Sequence, residues 1–131
     1  MFTTANTVSS FSVDDLAAAK QFYGETLGLG LTEDEMGGLD VQLGNGSMLL
    51  IYPKPNHEPA SFTVLNFAVE DVEAAVDELN ARGVKTKIYA DDELPDMPND
   101  AKGIMKDEDG KPALAWFKDP AGNVLAVMRA R

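Results

Sequence analysis

The sequence predicts an α+β fold in which one strand-helix-strand-strand-strand unit is used twice. Three observations carry this prediction. First, Phe11-Ser12-Val13-Asp14-Asp15-Leu16-Ala17-Ala18-Ala19 returns as Phe67-Ala68-Val69-Glu70-Asp71-Val72-Glu73-Ala74-Ala75, 56 residues later. A repeat of that length means a structural unit used twice, and each copy is too small to bury a core alone. Second, each copy runs into a helical pattern closed by a glycine, Gly28 and then Gly83. Third, short stretches of alternating or continuous apolar character follow each helix. The 131 residues are therefore expected to form one domain, with module 1 at about 1–55 and module 2 at about 60–131.

The elements follow in order. Thr7 to Val13 reads as a strand, and Asp14 is a good N-cap. Leu16, Ala19, Phe22, Tyr23 and Leu27 share one helical face, which predicts a helix over 15–27. Leu29 to Glu35 is the next strand, turned at Met36-Gly37-Gly38. Leu39, Val41 and Leu43 alternate with polar residues as in a half-buried strand. Gly44-Asn45-Gly46 is a hairpin turn, and Ser47 to Tyr52 is a continuous apolar strand. The segment from Pro53 to Pro59 has three prolines in seven residues and connects the modules. Phe62 to Val69 restarts the pattern as a strand. A helix over 71–82 places Val72, Ala75, Val76 and Leu79 inward, and Val84 to Tyr89 is read as a strand. Ala90 to Gly110 holds eight acids and reads as a long loop with at most one short turn of regular structure. Such a loop is either functional or a solvated excursion. Lys111 to Lys118 and Asn123 to Arg129 form the last hairpin, turned at Asp119-Pro120-Ala121-Gly122. Parallel strands, or a third long helix, would contradict this reading.

Composition excludes several function classes. The net charge of −11 disfavours nucleic acid and anionic membranes, whose recognition needs clustered Lys and Arg. The absence of cysteine removes disulfides, thiolate metal sites and Cys nucleophiles. No apolar run approaches the roughly 20 residues of a membrane span, and the first residues lack a signal-peptide pattern. A cytoplasmic protein with no nucleic-acid or membrane partner is expected.

Three segments carry a family resemblance. They are Phe11-Ser12-Val13-Asp14-Asp15-Leu16 with Phe22-Tyr23-Gly24-Glu25-Thr26-Leu27-Gly28-Leu29, then Phe67-Ala68-Val69-Glu70-Asp71-Val72, then Ala115-Trp116-Phe117-Lys118-Asp119-Pro120-Ala121-Gly122-Asn123-Val124-Leu125. The chain resembles the vicinal oxygen chelate superfamily, which includes glyoxalase I, the bleomycin resistance proteins and the extradiol dioxygenases. The resemblance implies two βαβββ modules forming a curved mixed sheet around a cleft, with helices on the outer face, commonly in a homodimer. It also implies four metal-ligand positions, normally His, Glu or Gln. Here they fall at Val8, near Leu50, at Val64 and at Ala126. A d-block metal needs several converging N, O or S donors, and these residues supply none, so no metal and no cofactor are expected. His57, the single histidine, sits in the proline-rich connector and reads as an exposed loop residue.

Strand alternation gives the expected cleft lining. Ser10 and Ser12 share a face with Val8. Asn66 shares one with Val64, and Met48, Tyr52, Trp116 and Met128 join them. Each has a plain alternative: the methionines as gap-filling core, Tyr52 and Trp116 as core or interface aromatics, Asn66 as part of a buried hydrogen-bond network. The leading functional expectation is a metal-free protein that sequesters or carries a small organic ligand in an apolar cleft, as a homodimer. An alternative is a glyoxalase- or dioxygenase-like enzyme, a lyase, isomerase or oxygenase, with atypical metal ligands or none. A third is a protein–protein interaction module whose cleft is filled by its own side chains.

Overall fold

The computed structural model describes residues 2–44 and 46–131, with Asn6 described by its backbone alone. Asn45, the middle of the expected Gly44-Asn45-Gly46 turn, lies outside the described residues. The chain divides into two compact units, Met1–Pro59 and Ala60–Arg131.

In the first unit a 3₁₀ turn at Thr4–Asn6 leads into strand β1 (Ser9–Val13). Helix α1 (Leu16–Lys20) follows and widens into a π-helical stretch, Gln21–Thr26. Strands β2 (Leu31–Glu33), β3 (Leu39–Gln42) and β4 (Met48–Pro53) complete a four-stranded sheet in the order β1-β4-β3-β2. The second unit repeats the plan with β5 (Thr63–Val69), α2 (Val72–Ala81), β6 (Ile104–Lys106), β7 (Pro112–Lys118) and β8 (Val124–Arg129), in the order β5-β8-β7-β6.

Among the described residues the fold is thus α+β, with two mixed four-stranded sheets and two α-helices. β1 pairs parallel to β4, and β5 parallel to β8. The expectation of no parallel strands is therefore corrected. The cause is directional. The helix returns the chain to the start of the first strand, and three meandering strands then end in the direction in which the unit began.

Both helices are capped by the second acid of their acidic pairs. Asp15, not Asp14, caps α1 by accepting from the Ala18 amide at 3.1 Å. Asp71 caps α2 through the Ala74 amide at 3.0 Å. A short side-chain oxygen at that position satisfies an otherwise orphaned helix donor. Behind the caps each helix lays an apolar stripe on its sheet. Phe22 and Tyr23 are buried, and Tyr23 lies 6.0 Å from the Phe11 ring. With Val13, Leu39, Val41, Leu49 and Ile51 they make the first core. Val72, Val76 and Leu79 of α2 serve the second, where Ile104, Ala115, Phe117, Leu125 and Val127 are buried.

One hairpin device recurs. Asp34, Asp100, Asp107 and Asp119 each precede a glycine by three residues. In every case the glycine amide bonds back to the aspartate carbonyl, at 2.9–3.0 Å. The carboxylate accepts from the amide two residues on, and at Asp100, Asp107 and Asp119 also from the amide four residues on. The glycines, Gly37, Gly103, Gly110 and Gly122, have φ between 80° and 95°. This is a turn closed by a left-handed residue, with aspartate satisfying the exposed amides.

The second unit departs from the sequence reading at one place. Val84–Tyr89 is irregular backbone, and the strand after α2 is Ile104–Lys106, inside the expected acidic loop. The reason lies at Thr86. Its hydroxyl is buried and donates to the Lys102 carbonyl at 2.7 Å, and it accepts from Asn80 Nδ2 at 3.1 Å. Side-chain bonding there replaces a strand ladder. Gly103 lies so close that an added Cβ would stand 2.0 Å from the Thr86 carbonyl oxygen. Two of the eight acids, Asp100 and Asp107, are turn builders, and Glu93 accepts from the Ala90 amide at 2.9 Å.

Candidate functional site

The candidate residues fall in two groups, one on each sheet. Each group lies on the sheet face away from the buried helix-side core, as alternation requires. In the first unit Ser10 pairs with Leu50, and Ser12 with Tyr52, across β1 and β4. Asp40 continues the Leu50 row and Met48 pairs with Gln42. Ser10, Ser12, Met48 and Tyr52 therefore share one face. Met48 and Tyr52 are each 36% exposed.

Two features of this face were not read from the sequence. The first is His57. It is half-buried, and its Nδ1 lies 2.7 Å from Ser12 Oγ. The connector folds back on β1, so the reading of His57 as an exposed loop residue is corrected. The tautomer of the ring decides which partner donates. The second is Asp40. Partial burial pushes its carboxyl above the usual carboxylate range, and the charge and hydrogen bond of Asp34 add to the effect.

In the second unit Asn66, Ala126 and Trp116 form one cross-strand row. Ala68, Met128, Leu114 and Met105 form the next. Asn66, Trp116 and Met128 thus share a face. The Asn66 side chain is exposed, so the argument from the cost of burying an asparagine does not apply to it, and the alternative of a buried network falls. Trp116 is 8% exposed. Its Nε1–H donates to Thr63 Oγ1 at 3.1 Å. It belongs to an apolar cluster with Val124 and Ala126, against which Ile88, Tyr89, Leu94, Met105 and Leu114 pack. The Tyr89 ring meets the indole edge-on, 5.3 Å between centroids. Trp116 is therefore covered by its own unit, which periodicity could not reveal because Ile88–Leu94 lies outside any regular element.

The donor set does not fit a metal centre. Val8, Leu50, Val64 and Ala126 offer no ligand atom. Among the described residues no group of three or more His, Asp or Glu side chains is placed to hold an ion. Among the described residues, too, no helix is long and apolar enough to cross a membrane.

Two βαβββ units, each with a partly polar sheet face opposite its helix, make up the fold. The chain belongs to the Glyoxalase/Bleomycin resistance protein/Dioxygenase superfamily, whose profile matches residues 5–127. A search of curated proteins gives no match. Solved structures are similar over nearly the whole chain. TnmS3, an antibiotic binding protein from Streptomyces sp. CB03234, is 27% identical, with 99% of this chain and 100% of that one covered and a TM-score of 0.63. A superfamily member from Sphaerobacter thermophilus is 21% identical, with 94% and 96% covered and a TM-score of 0.66. A lactoylglutathione lyase from Agrobacterium tumefaciens is 24% identical, with 97% and 94% covered and a TM-score of 0.59. The last two likenesses speak to the fold alone, because one scaffold hosts many chemistries.

Proposed function

We propose that this protein binds a small organic molecule and performs no metal chemistry. The observation that carries the reading is the donor set. The four positions at which the resemblance expects ligands are apolar, while Ser10, Ser12, Tyr52 and Asn66 leave hydroxyl and amide groups on the same sheet faces. A few polar groups on an apolar ground fix the orientation of a small ligand, and the apolar ground supplies affinity. The 27% identity to an antibiotic binding protein supports binding over turnover. In this reading Met48 and Met128 provide adaptable apolar contact, and the protein works as a homodimer in the cytoplasm. The test is native mass spectrometry of untagged protein purified without chelator. The reading expects a bound organic mass and no stoichiometric zinc, iron, nickel or manganese. One equivalent of such a metal per chain overturns it in favour of the enzyme.

The packing of Tyr89 and Leu94 over Trp116 favours a second reading, an interaction module whose face is filled by its own side chains. Binding of small molecules to the first sheet alone, with Trp116 emission unmoved at saturation, would support that reading for the second unit.

A further inference from the structure

The segment between Thr86 and Lys102 has the construction of a cover. Its two ends are tied. The Thr86 hydroxyl donates to the Lys102 carbonyl at 2.7 Å. Lys87 Nζ donates to Asn99 Oδ1 at 2.6 Å and pairs with Asp91 at 2.9 Å. Between the ties the chain is two-faced. Ile88, Tyr89 and Leu94 pack onto Trp116, Val124 and Ala126, while Asp91, Asp92, Glu93 and Asp96 stand in solvent. No residue from 84 to 103 is in a sheet. The covering side chains are only half-buried, whereas the ground beneath them is almost wholly buried. Segments with few buried contacts and no ladder open at low free energy, well below global unfolding.

We propose that Ile88, Tyr89 and Leu94 form a displaceable cover, and that the ground beneath Tyr89 is a subsite for a planar, uncharged aromatic group. The proposal rests on the binding reading above and deepens it. The ligand class follows from the intramolecular occupant. Tyr89 already presents a ring edge-on to Trp116, the geometry that aromatic pairs prefer. A ligand ring must replace it. Affinity measured from outside is then reduced by the fraction of molecules in which the cover is open. The acidic outer face keeps the opened segment solvated and gives it no reason to bind elsewhere on a chain of net charge −11.

Trp116 is the only tryptophan of the chain, so its emission reports on this site alone. The experiment measures acrylamide quenching of Trp116 and binding of Nile red, both uncharged probes, in the wild type, Tyr89→Phe, Tyr89→Ala and Lys87→Met. Circular dichroism confirms that each variant is folded. Tyr89→Ala is expected to raise the quenching constant about twofold or more and to tighten Nile red about threefold or more. Tyr89→Phe keeps the ring and should match the wild type. Lys87→Met loosens one tie without touching the apolar contacts, and should shift both readouts in the Tyr89→Ala direction. It also keeps the test alive if Tyr89→Ala fails to fold. Unchanged quenching in folded Tyr89→Ala or Lys87→Met overturns the displaceable cover, and leaves the binding reading to stand or fall on the mass measurement. Quenching that rises while Nile red binds no variant overturns the aromatic subsite.

Discussion

Asn66 and Trp116 sit two strands apart in one row with Ala126 between them, and they divide the work of the second sheet face. Asn66 offers an exposed amide, and Trp116 an indole whose N–H is already engaged by Thr63. Asn66→Ala is therefore expected to leave folding stability within about 0.5 kcal/mol of wild type, as exposed positions do. It should weaken a bound ligand by about 0.5–1.5 kcal/mol, the net worth of one hydrogen bond. Urea unfolding beside calorimetric titration checks both numbers. A loss of stability without a loss of affinity would make Asn66 structural. At this scale the sequence showed which residues share a face, because period two assigns Ser10 with Ser12 and Asn66 with Ala68. It hid Ser12–His57 and Tyr89–Trp116, because both contacts are made by irregular chain returning on a strand from a distance that no period encodes.

The β2–β3, β6–β7 and β7–β8 hairpins rest on Asp-x-x-Gly turns, as does the turn before β6, and these give sharper tests. Asp119 is 5% exposed, and its carboxylate accepts from the Ala121 and Asn123 amides and from Asn123 Nδ2. Asp119→Ala leaves those donors short of partners and should cost about 1–3 kcal/mol in urea unfolding. Gly103→Ala adds a Cβ against the Thr86 carbonyl at a left-handed φ of 82°, and should cost at least about 1–3 kcal/mol. Asp107 gives a pH signature. The Lys111 amide, the Arg129 guanidinium and the Asp109 amide together hold its carboxyl below the usual range. A depressed folded-state value means that its stabilisation is complete above the unfolded carboxylate value and is lost as pH falls through the folded one. Asp107→Asn should lower the melting temperature at pH 7, and the gap to wild type should close on acidification. A gap of constant size down to pH 2 would show that the Asp107 charge is irrelevant. The turn spacing was present in the sequence four times, and it places β6 at Ile104–Lys106 between the Asp100 and Asp107 turns. Val84, Thr86 and Ile88, alternating with Lys85 and Lys87, read instead as a strand by period two. The structure resolves the conflict through Thr86, whose hydroxyl takes a carbonyl that a strand would have bonded by its backbone.

For the whole molecule, two copies of one unit were legible because the repeat, the acidic caps and the closing glycines agree with one another, and agreement across levels is what specifies a fold. Function was less legible, because proteins of this fold include an antibiotic binding protein and a lactoylglutathione lyase, and Val8, Leu50, Val64 and Ala126 stand where the resemblance expects donors. Binding without a metal is checked by titrating uncharged aromatic molecules into untagged protein while following Trp116 emission, once as purified and once after exhaustive treatment with chelator. Saturable binding of at least one molecule, with the same dissociation constant in both preparations, is expected. Binding, or conversion of the added molecule, that disappears with chelator and returns with a divalent transition metal would contradict it.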